Sequence, residues 1–136
     1  MNAKGSAALM PTRVLIVDDN DLNIELARCL LEADGFEVES QTEPARVLAH
    51  LAVFQPALVL MDVQMPGTDG LTLTRAIKAD AALRDTVVIA FTAYAMKGDE
   101  ARMRSAGCDG YIAKPIDVDR FGATVRAHLP AGPEVA

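Results

Sequence analysis

Short segments rich in apolar or alternating residues recur five times along the chain, and each is followed by a stretch with helical spacing. These segments predict strands at residues 13–17, 37–41, 57–61, 87–91 and 110–112. The first, third and fourth are nearly continuous in Val, Ile and Leu, which is typical of strands buried on both faces. The intervening patterns predict helices at residues 20–34, 44–54, 71–79, 97–106 and 118–129. This alternation predicts one α/β domain with a parallel sheet and right-handed crossovers.

Local signals mark the ends of several predicted helices. Gly35 stands just past the first helix as a C-cap, and Pro44 suits the first turn of the second. Asp117 is a candidate N-cap for the last helix. With these boundaries, residues 12–129 form the folded domain, and residues 1–11 and 130–136 are tails.

Composition and charge narrow the class of protein. The chain has 136 residues, enough for one domain, and 51% are hydrophobic, as in a globular protein. Thirteen basic against 19 acidic residues leave a net charge of −6, which argues against nonspecific binding to nucleic acid or anionic membranes. Cys29 and Cys108 lack metal-site spacing, so we expect reduced thiols in a cytoplasmic protein, with a disulfide between them as the alternative.

Polar residues stand where four of the predicted strands end. Asp18 and Asp19 follow the first strand, Asp62 the third, Thr92 the fourth and Lys114 the fifth. The carboxyl ends of parallel strands meet at one edge of the sheet, where ligands bind in such folds. Three carboxylates in one place repel each other unless a cation joins them. A site for a divalent cation such as Mg²⁺, which prefers oxygen ligands, is therefore the first hypothesis.

The same side chains suit the handling of a phosphoryl group. Asp62 can ligate the metal and can also act as a nucleophile, because carboxylates form acyl phosphates. The Lys114 ammonium and the Thr92 hydroxyl can stabilise charge on phosphoryl oxygens. We predict a cis peptide bond between Lys114 and Pro115, which would direct Lys114 over the acids. Asp99 and Arg102, in the fourth predicted helix, are interpreted as part of a solvated face.

In this combination the chain resembles the receiver domain of bacterial two-component response regulators. The spacing agrees, with 30 residues from Asp62 to Thr92 and 22 from Thr92 to Lys114. The resemblance covers about residues 12–129. The motifs that carry it are Asp18-Asp19, Asp62 within Met61-Asp62-Val63-Gln64-Met65-Pro66-Gly67, Thr92-Ala93, and Lys114-Pro115.

The resemblance implies a flavodoxin-like (βα)5 fold with strand order 2-1-3-4-5. It implies that Asp62 accepts a phosphoryl group from a histidine kinase or a histidine phosphotransfer protein. Asp19, Asp62 and the backbone carbonyl of Gln64 would hold Mg²⁺, and Asp18 would assist through water. Thr92 and Tyr111 would form a switch pair.

The resemblance also implies surfaces for partners. The start of the first helix would dock the phosphohistidine partner, through Asn20, Leu22, Asn23 and Ile24. The fourth helix, fifth strand and fifth helix would present the output surface to a downstream protein, in a monomer or a phosphorylation-enhanced homodimer. The stretch from Ala93 to Glu100 is similar to single-domain regulators of the cell-cycle type and to receivers of hybrid kinases.

Three alternatives stay open beside this interpretation. An aspartate-nucleophile phosphatase usually carries a second Asp two residues after the nucleophile, where this chain has Gln64, so we predict a switch and not an enzyme. A flavin carrier would need a Ser, Thr or Gly-rich loop after the first strand, where this chain has Asp18-Asp19-Asn20-Asp21. A receiver cut from a larger protein is the third alternative.

Overall fold

A five-stranded parallel sheet forms the centre of the computed structural model, which describes residues 11–65, 67–93 and 97–129. Its order across the sheet is β2-β1-β3-β4-β5. This is the flavodoxin-like order that the resemblance implied, so the predicted fold is confirmed. The strands are β1 (Arg13–Val17), β2 (Glu37–Gln41), β3 (Leu58–Asp62), β4 (Val87–Thr92) and β5 (Gly110–Ala113).

Five helices connect and follow the strands. They are α1 (Asp21–Ala33), α2 (Val47–Phe54), α3 (Gly70–Ala79), α4 (Lys97–Ala106) and α5 (Phe121–Ala127). A 3-10 turn, Pro44–Arg46, leads into α2, and a small antiparallel hairpin pairs Gln64–Met65 with Thr68–Asp69 before α3. Within the described part of the chain, none of these helices has the length and apolarity required to cross a membrane.

The sheet divides the core into two clusters, because successive side chains of a strand point to opposite faces. Leu15 and Val17 of β1 belong to the cluster that α2, α3 and α4 cover. Val14 and Ile16 belong to the cluster that α1 and α5 cover. With helices on both faces, β3 is buried along its whole length, and this explains its continuous apolar sequence.

Helix ends follow the local signals in part. The Asn20 side chain accepts a hydrogen bond from the Asn23 N–H at 3.0 Å and caps α1, and Gly35 follows that helix with a φ of +94°. The prediction for the last helix was wrong at its start. The Asp117 carbonyl accepts hydrogen bonds from the Arg120 and Phe121 N–H groups, so residues 118–120 form a turn and α5 begins at Phe121.

The two cysteines are not joined. Cys29 is exposed on α1, Cys108 is buried in the core cluster under α4, and both are free thiols. The disulfide alternative is therefore wrong. Burial raises the pKa of the Cys108 thiol above its ordinary value of 9.0, so this side chain behaves as a small apolar group.

Candidate functional site: an acidic cluster at the carboxyl edge of the sheet

Three carboxylates converge beyond the carboxyl ends of β1 and β3. These strands are neighbours, with Val17 opposite Met61, so the residues that follow them lie side by side. One carboxylate oxygen from each of Asp18, Asp19 and Asp62 lies within 4.8 Å of the other two. Asp18 and Asp62 are buried, at 0% and 3% exposure, whereas Asp19 is exposed.

Lys114 reaches this cluster from the end of β5. Its Nζ lies 3.2 Å from Asp18 Oδ2 and 3.5 Å from Asp62 Oδ1. The same ammonium stands 4.8 Å from the centroid of the Phe91 ring, which forms an apolar wall behind it. The Lys114 N–H donates to the Thr92 carbonyl at 2.8 Å, and the bond to Pro115 is cis.

Backbone donors orient the two buried carboxylates. The Asn20 N–H donates to Asp18 Oδ1 at 2.9 Å, and the Gln64 N–H donates to Asp62 Oδ1 at 3.0 Å. Asp18 Oδ2 is different, because it is buried and has no hydrogen-bond partner among the described residues. Its contact with Lys114 is an ion pair without hydrogen-bond geometry. A buried carboxylate oxygen with an ion pair but no hydrogen bond keeps acceptor capacity for a ligand.

The environment also changes the acidity of Asp62. Burial is the largest influence and, together with the neighbouring charge of Asp18, raises the pKa of Asp62 from 3.8 to about 6. The Gln64 N–H and the Lys114 charge act in the opposite direction. With Asp62 ionised, the formal charges of the three carboxylates and the ammonium are −3 and +1, or −2 in sum. A divalent cation would neutralise that charge.

The residues present fit a hard divalent cation. Mg²⁺ takes oxygen ligands and commonly binds through one or two carboxylates together with waters. The Asp18, Asp19 and Asp62 carboxylates supply such oxygens, and the Asp18 Oδ2 atom that lacks a hydrogen bond is the specific feature that an ordinary acidic surface would not show.

Thr92 lies on β4, the strand beside that of Asp62, and Tyr111 lies on β5, one strand further out. Asp62 is opposite Phe91, so Thr92 is one residue further along the neighbouring strand, at the edge where the acids lie. Thr92 is buried and lines the same cavity as Asp19 and Gln64. Tyr111 is opposite Ala90 on the outer strand β5, and its exposure is 36%.

The four predicted docking residues do not share one surface. Asn20 and Leu22 are exposed, Leu22 by 81%, and Asn23 is half-buried. Ile24 is only 4% exposed and packs in the core cluster under α1. The structure thus corrects the predicted set, since the buried Ile24 side chain is not available for contact with a partner. Helical periodicity explains this, because Ile24, Ala27 and Leu31 face inward together.

A cavity of about 650 Å³ adjoins the acidic cluster. Asp19, Gln64 and Thr92 line its side toward the cluster. Asp99 and Arg102 of α4, joined by an ion pair of 3.0 Å, line its far side. The sequence places this pair on a solvated helix face. Their spacing of three residues indicates an ion pair, but it carries no information about the cavity that packing α4 beside α3 creates.

Comparison with known proteins identifies the family and agrees with the fold. The family model of the response regulator receiver domain matches residues 14–126. The chain therefore belongs to the response regulator receiver family, and the family indicated by the strand-end residues is confirmed.

Individual relatives refine this assignment. The chain is 47% identical over 120 residues to the polar-differentiation response regulator DivK of Brucella anthropi, covering 88% of this chain and 98% of that protein. It is 46% identical, with the same coverage, to DivK of Brucella melitensis. The chain is therefore similar to a response regulator of the cell-cycle type.

Solved structures share the architecture. A signal receiver domain of a histidine kinase from Syntrophus aciditrophicus aligns with a TM-score of 0.77 and 30% identity, covering 87% of this chain and 89% of that one. The chemotaxis response regulator CheY4 of Vibrio cholerae aligns with a TM-score of 0.82 over 88% of this chain and 100% of its own. At 22% identity, CheY4 supports the fold alone.

Proposed function

We propose that Asp62 is the phospho-acceptor of this receiver and that it takes its phosphoryl group from a phosphohistidine of a histidine kinase or histidine phosphotransfer protein. The observation that carries the proposal is the buried Asp62 carboxylate, held by the Gln64 N–H and faced by Asp18 and Lys114. Acceptance of phosphate on Asp is typical of the family. In the transfer, an Asp62 oxygen bonds to phosphorus and the bond from phosphorus to the imidazole nitrogen breaks. The electron pair of that bond stays on the imidazole.

We assign the metal to the same cluster. Asp19, Asp62 and the Gln64 carbonyl would hold Mg²⁺, with Asp18 assisting through a water. Bound there, the cation would neutralise charge on the phosphoryl oxygens. The Gln64 N–H holds Asp62 Oδ1 and so limits rotation of the carboxylate, which keeps its other oxygen oriented for reaction.

Lys114 and Thr92 change their contacts when negative charge moves from the Asp62 carboxylate to the phosphoryl group. Before transfer, the Lys114 ammonium pairs with Asp18 and Asp62. Once Asp62 is an acyl phosphate, its own charge has moved to the phosphoryl oxygens, and the ammonium pairs with these instead. The Thr92 hydroxyl donates to another phosphoryl oxygen. Its movement leaves space for the Tyr111 ring, which is part-exposed on β5, to turn inward.

We propose two partner surfaces. Asn20, Leu22 and Asn23 form the docking surface for the phosphohistidine partner, because they lie directly after the acidic pair and Leu22 is an exposed apolar side chain. The surface of α4, β5 and α5 serves as output to a downstream protein. The chain works as a monomer or as a homodimer that phosphorylation strengthens.

The role that we propose is a switch of the cell-cycle type, as the polar-differentiation relatives suggest, and not an enzyme for external phosphate esters. Gln64 stands two residues after Asp62, and an amide there cannot serve as the general acid and base of a phosphatase. We place the switch in the cytoplasm, where free thiols such as Cys29 and Cys108 stay reduced.

The test is intact mass after incubation with acetyl phosphate, with and without Mg²⁺, for the wild type and Asp62→Asn. We expect a Mg²⁺-dependent gain of one phosphoryl group in the wild type and none in the variant, because the amide is not a nucleophile. A phosphohistidine-loaded phosphotransfer protein serves as the second donor. Absence of incorporation from both donors, or equal incorporation in Asp62→Asn, would contradict the proposal.

A further inference from the structure

We propose that Gly70 is a positioning residue for the acceptor site. Its missing side chain lets the start of α3 pack directly on the backbone of Asp62 and Val63. That contact holds Val63, Gln64 and the hairpin partner Asp69 at the place where the cation and the phosphoryl group are handled. The inference rests on the proposed function, since Gln64 is assigned to the site there.

The steric evidence is specific to backbone atoms. A Cβ built on Gly70 would overlap the carbonyl oxygen of Asp62 and would lie 3.0 Å from both the Asp62 carbonyl carbon and the Val63 Cα. Backbone atoms of a buried strand end cannot rotate away. By contrast, a Cβ on Gly122 would meet the Asp34 side chain, which can change its rotamer.

Hydrogen bonds also join the start of α3 to the residues that follow Asp62. The Gly70 N–H donates to the Val63 carbonyl at 3.0 Å. Asp69, the residue before it, caps α3 by accepting from the Leu71 N–H at 2.9 Å, and it pairs with Gln64 in the hairpin. Gln64 is therefore fixed on one side by Asp62 and on the other by a helix start that depends on Gly70.

Buried polar contacts connect the start of α3 to the segment between α4 and β5. The Thr74 hydroxyl, which is fully buried, donates to the Gly70 carbonyl at 3.0 Å. The Cys108 thiol, in the connection between α4 and β5, contacts the Thr74 oxygen at 3.9 Å. Leu71, Thr74 and Ile77 of α3 are buried against the rest of the domain, so we expect a methyl group at residue 70 to displace the Gln64 segment more easily than the helix.

Helix propensity alone predicts the opposite result for Gly70→Ala. The φ of Gly70 lies outside the left-handed region, and alanine is a better helix former than glycine. If Gly70 were only an ordinary helix residue, the variant would keep its function and gain stability. Loss of metal affinity in this variant is therefore informative.

The first measurement is Mg²⁺ affinity by isothermal titration calorimetry for the wild type, Gly70→Ala and the control Gly122→Ala. We expect a Kd for Mg²⁺ about 10- to 100-fold weaker in Gly70→Ala, as for other residues that orient metal ligands. Gly122→Ala, at the start of α5, should keep the wild-type Kd. Phosphorylation by acetyl phosphate at limiting Mg²⁺ should slow by the same factor in Gly70→Ala and recover in part at high Mg²⁺.

Each contrary result has a distinct meaning. A lowered melting temperature with a wild-type Mg²⁺ Kd would show a merely structural role and overturn the inference. If circular dichroism shows that Gly70→Ala does not fold, Thr74→Val replaces it, since that change removes the hydrogen bond to the Gly70 carbonyl. An unchanged Kd in Thr74→Val would then overturn the inference. Failure of the wild type to accept phosphate would instead overturn the proposed function, while the comparison of Kd values still decides the role of Gly70.

Discussion

The two edges of the sheet each contain a lysine close to an aspartate, but the two clusters differ in how fully their atoms are paired. At the amino edge, Lys78 Nζ donates to the Arg84 and Thr86 carbonyls at 3.1 and 2.8 Å and to Asp109 at 3.0 Å. The same Asp109 oxygen accepts from the Val88 N–H at 2.8 Å. At the carboxyl edge, Lys114 is shared between Asp18 and Asp62, and one buried Asp18 oxygen lacks a hydrogen bond.

This difference distinguishes a cluster that stabilises the fold from a cluster that is suited to binding a ligand. Paired donors and acceptors, as around Lys78, contribute to the free energy of folding. Buried acids with too few partners and excess negative charge cost folding free energy, and they persist where a ligand satisfies them. We therefore expect substitutions at the amino edge to lower stability. Substitutions at the carboxyl edge should change binding and signalling and, where they remove the charge of a buried acid, should raise stability.

Among substitutions that distinguish the two edges of the sheet, Lys114→Ala is expected to have the largest effect on signalling. The acids remain, so Mg²⁺ should still bind, but the acyl phosphate loses the ammonium that draws it into contact with β5. Phosphorylation should no longer change the surface of α4, β5 and α5, which backbone amide chemical shifts report by NMR. If phosphorylated Lys114→Ala shows the same chemical-shift changes as the phosphorylated wild type, the role proposed for Lys114 is contradicted.

Lys78→Ala is the matched control for that experiment. It removes a lysine that contacts an aspartate at a similar distance, but at the edge without the site. Loss of the three hydrogen bonds should lower the free energy of unfolding by about 1–3 kcal/mol, measured by urea denaturation. The Mg²⁺ affinity and the phosphorylation-dependent shift changes should stay as in the wild type. A weakened Mg²⁺ Kd in Lys78→Ala would contradict the separation.

The next effect concerns pH and the charge of Asp62. In the folded chain, burial first and the Asp18 charge next raise the pKa of Asp62 from 3.8 to about 6. Between these values the folded state binds more protons than the unfolded state, so the free energy of unfolding falls as pH rises through about 6. The difference corresponds to about 3 kcal/mol at most.

Asp62→Asn removes this titration and so measures it. In EDTA at pH 7.5, the variant should be more stable than the wild type by up to about 3 kcal/mol in urea denaturation. The difference should shrink as the pH is lowered toward 4. Adding Mg²⁺ at pH 7.5 should stabilise the wild type selectively. Equal stabilities at both pH values would mean that burial does not penalise the Asp62 charge.

The smallest effect is expected at the surface. Leu22→Ala should slow phosphotransfer from a protein donor about fivefold, as for loss of an interface contact worth about 1 kcal/mol, and leave acetyl phosphate reactivity unchanged. Val53, which is 85% exposed on α2 near the amino edge, gives the matched control Val53→Ala. Equal slowing in both variants would contradict a docking surface at the start of α1.

Local patterns and topology rules accounted for most of the fold. The predicted bounds of β1, β2 and α4 agree with the structure, and the other strands differ by one residue at one or both ends. Three of these strands, β1, β3 and β4, are predictable because short and nearly continuous runs of Val, Ile and Leu are typical of strands buried on both faces. The start of α5 was not predictable in the same sense, because the Asp117 carbonyl forms a turn that competes with a helix over residues 118–120.

The sequence by itself determined the acids, the threonine and the lysine of the site, because parallel strands bring their carboxyl ends to one edge wherever the residues lie in the chain. Tertiary structure alone decided which of their atoms are satisfied. The Asp18 oxygen without a hydrogen bond, the packing of Gly70 on Asp62, and the contact of Lys78 with Asp109, 31 residues away, depend on how separate segments approach each other. Local periodicity carries no information about those distances, since close packing of the whole domain sets them.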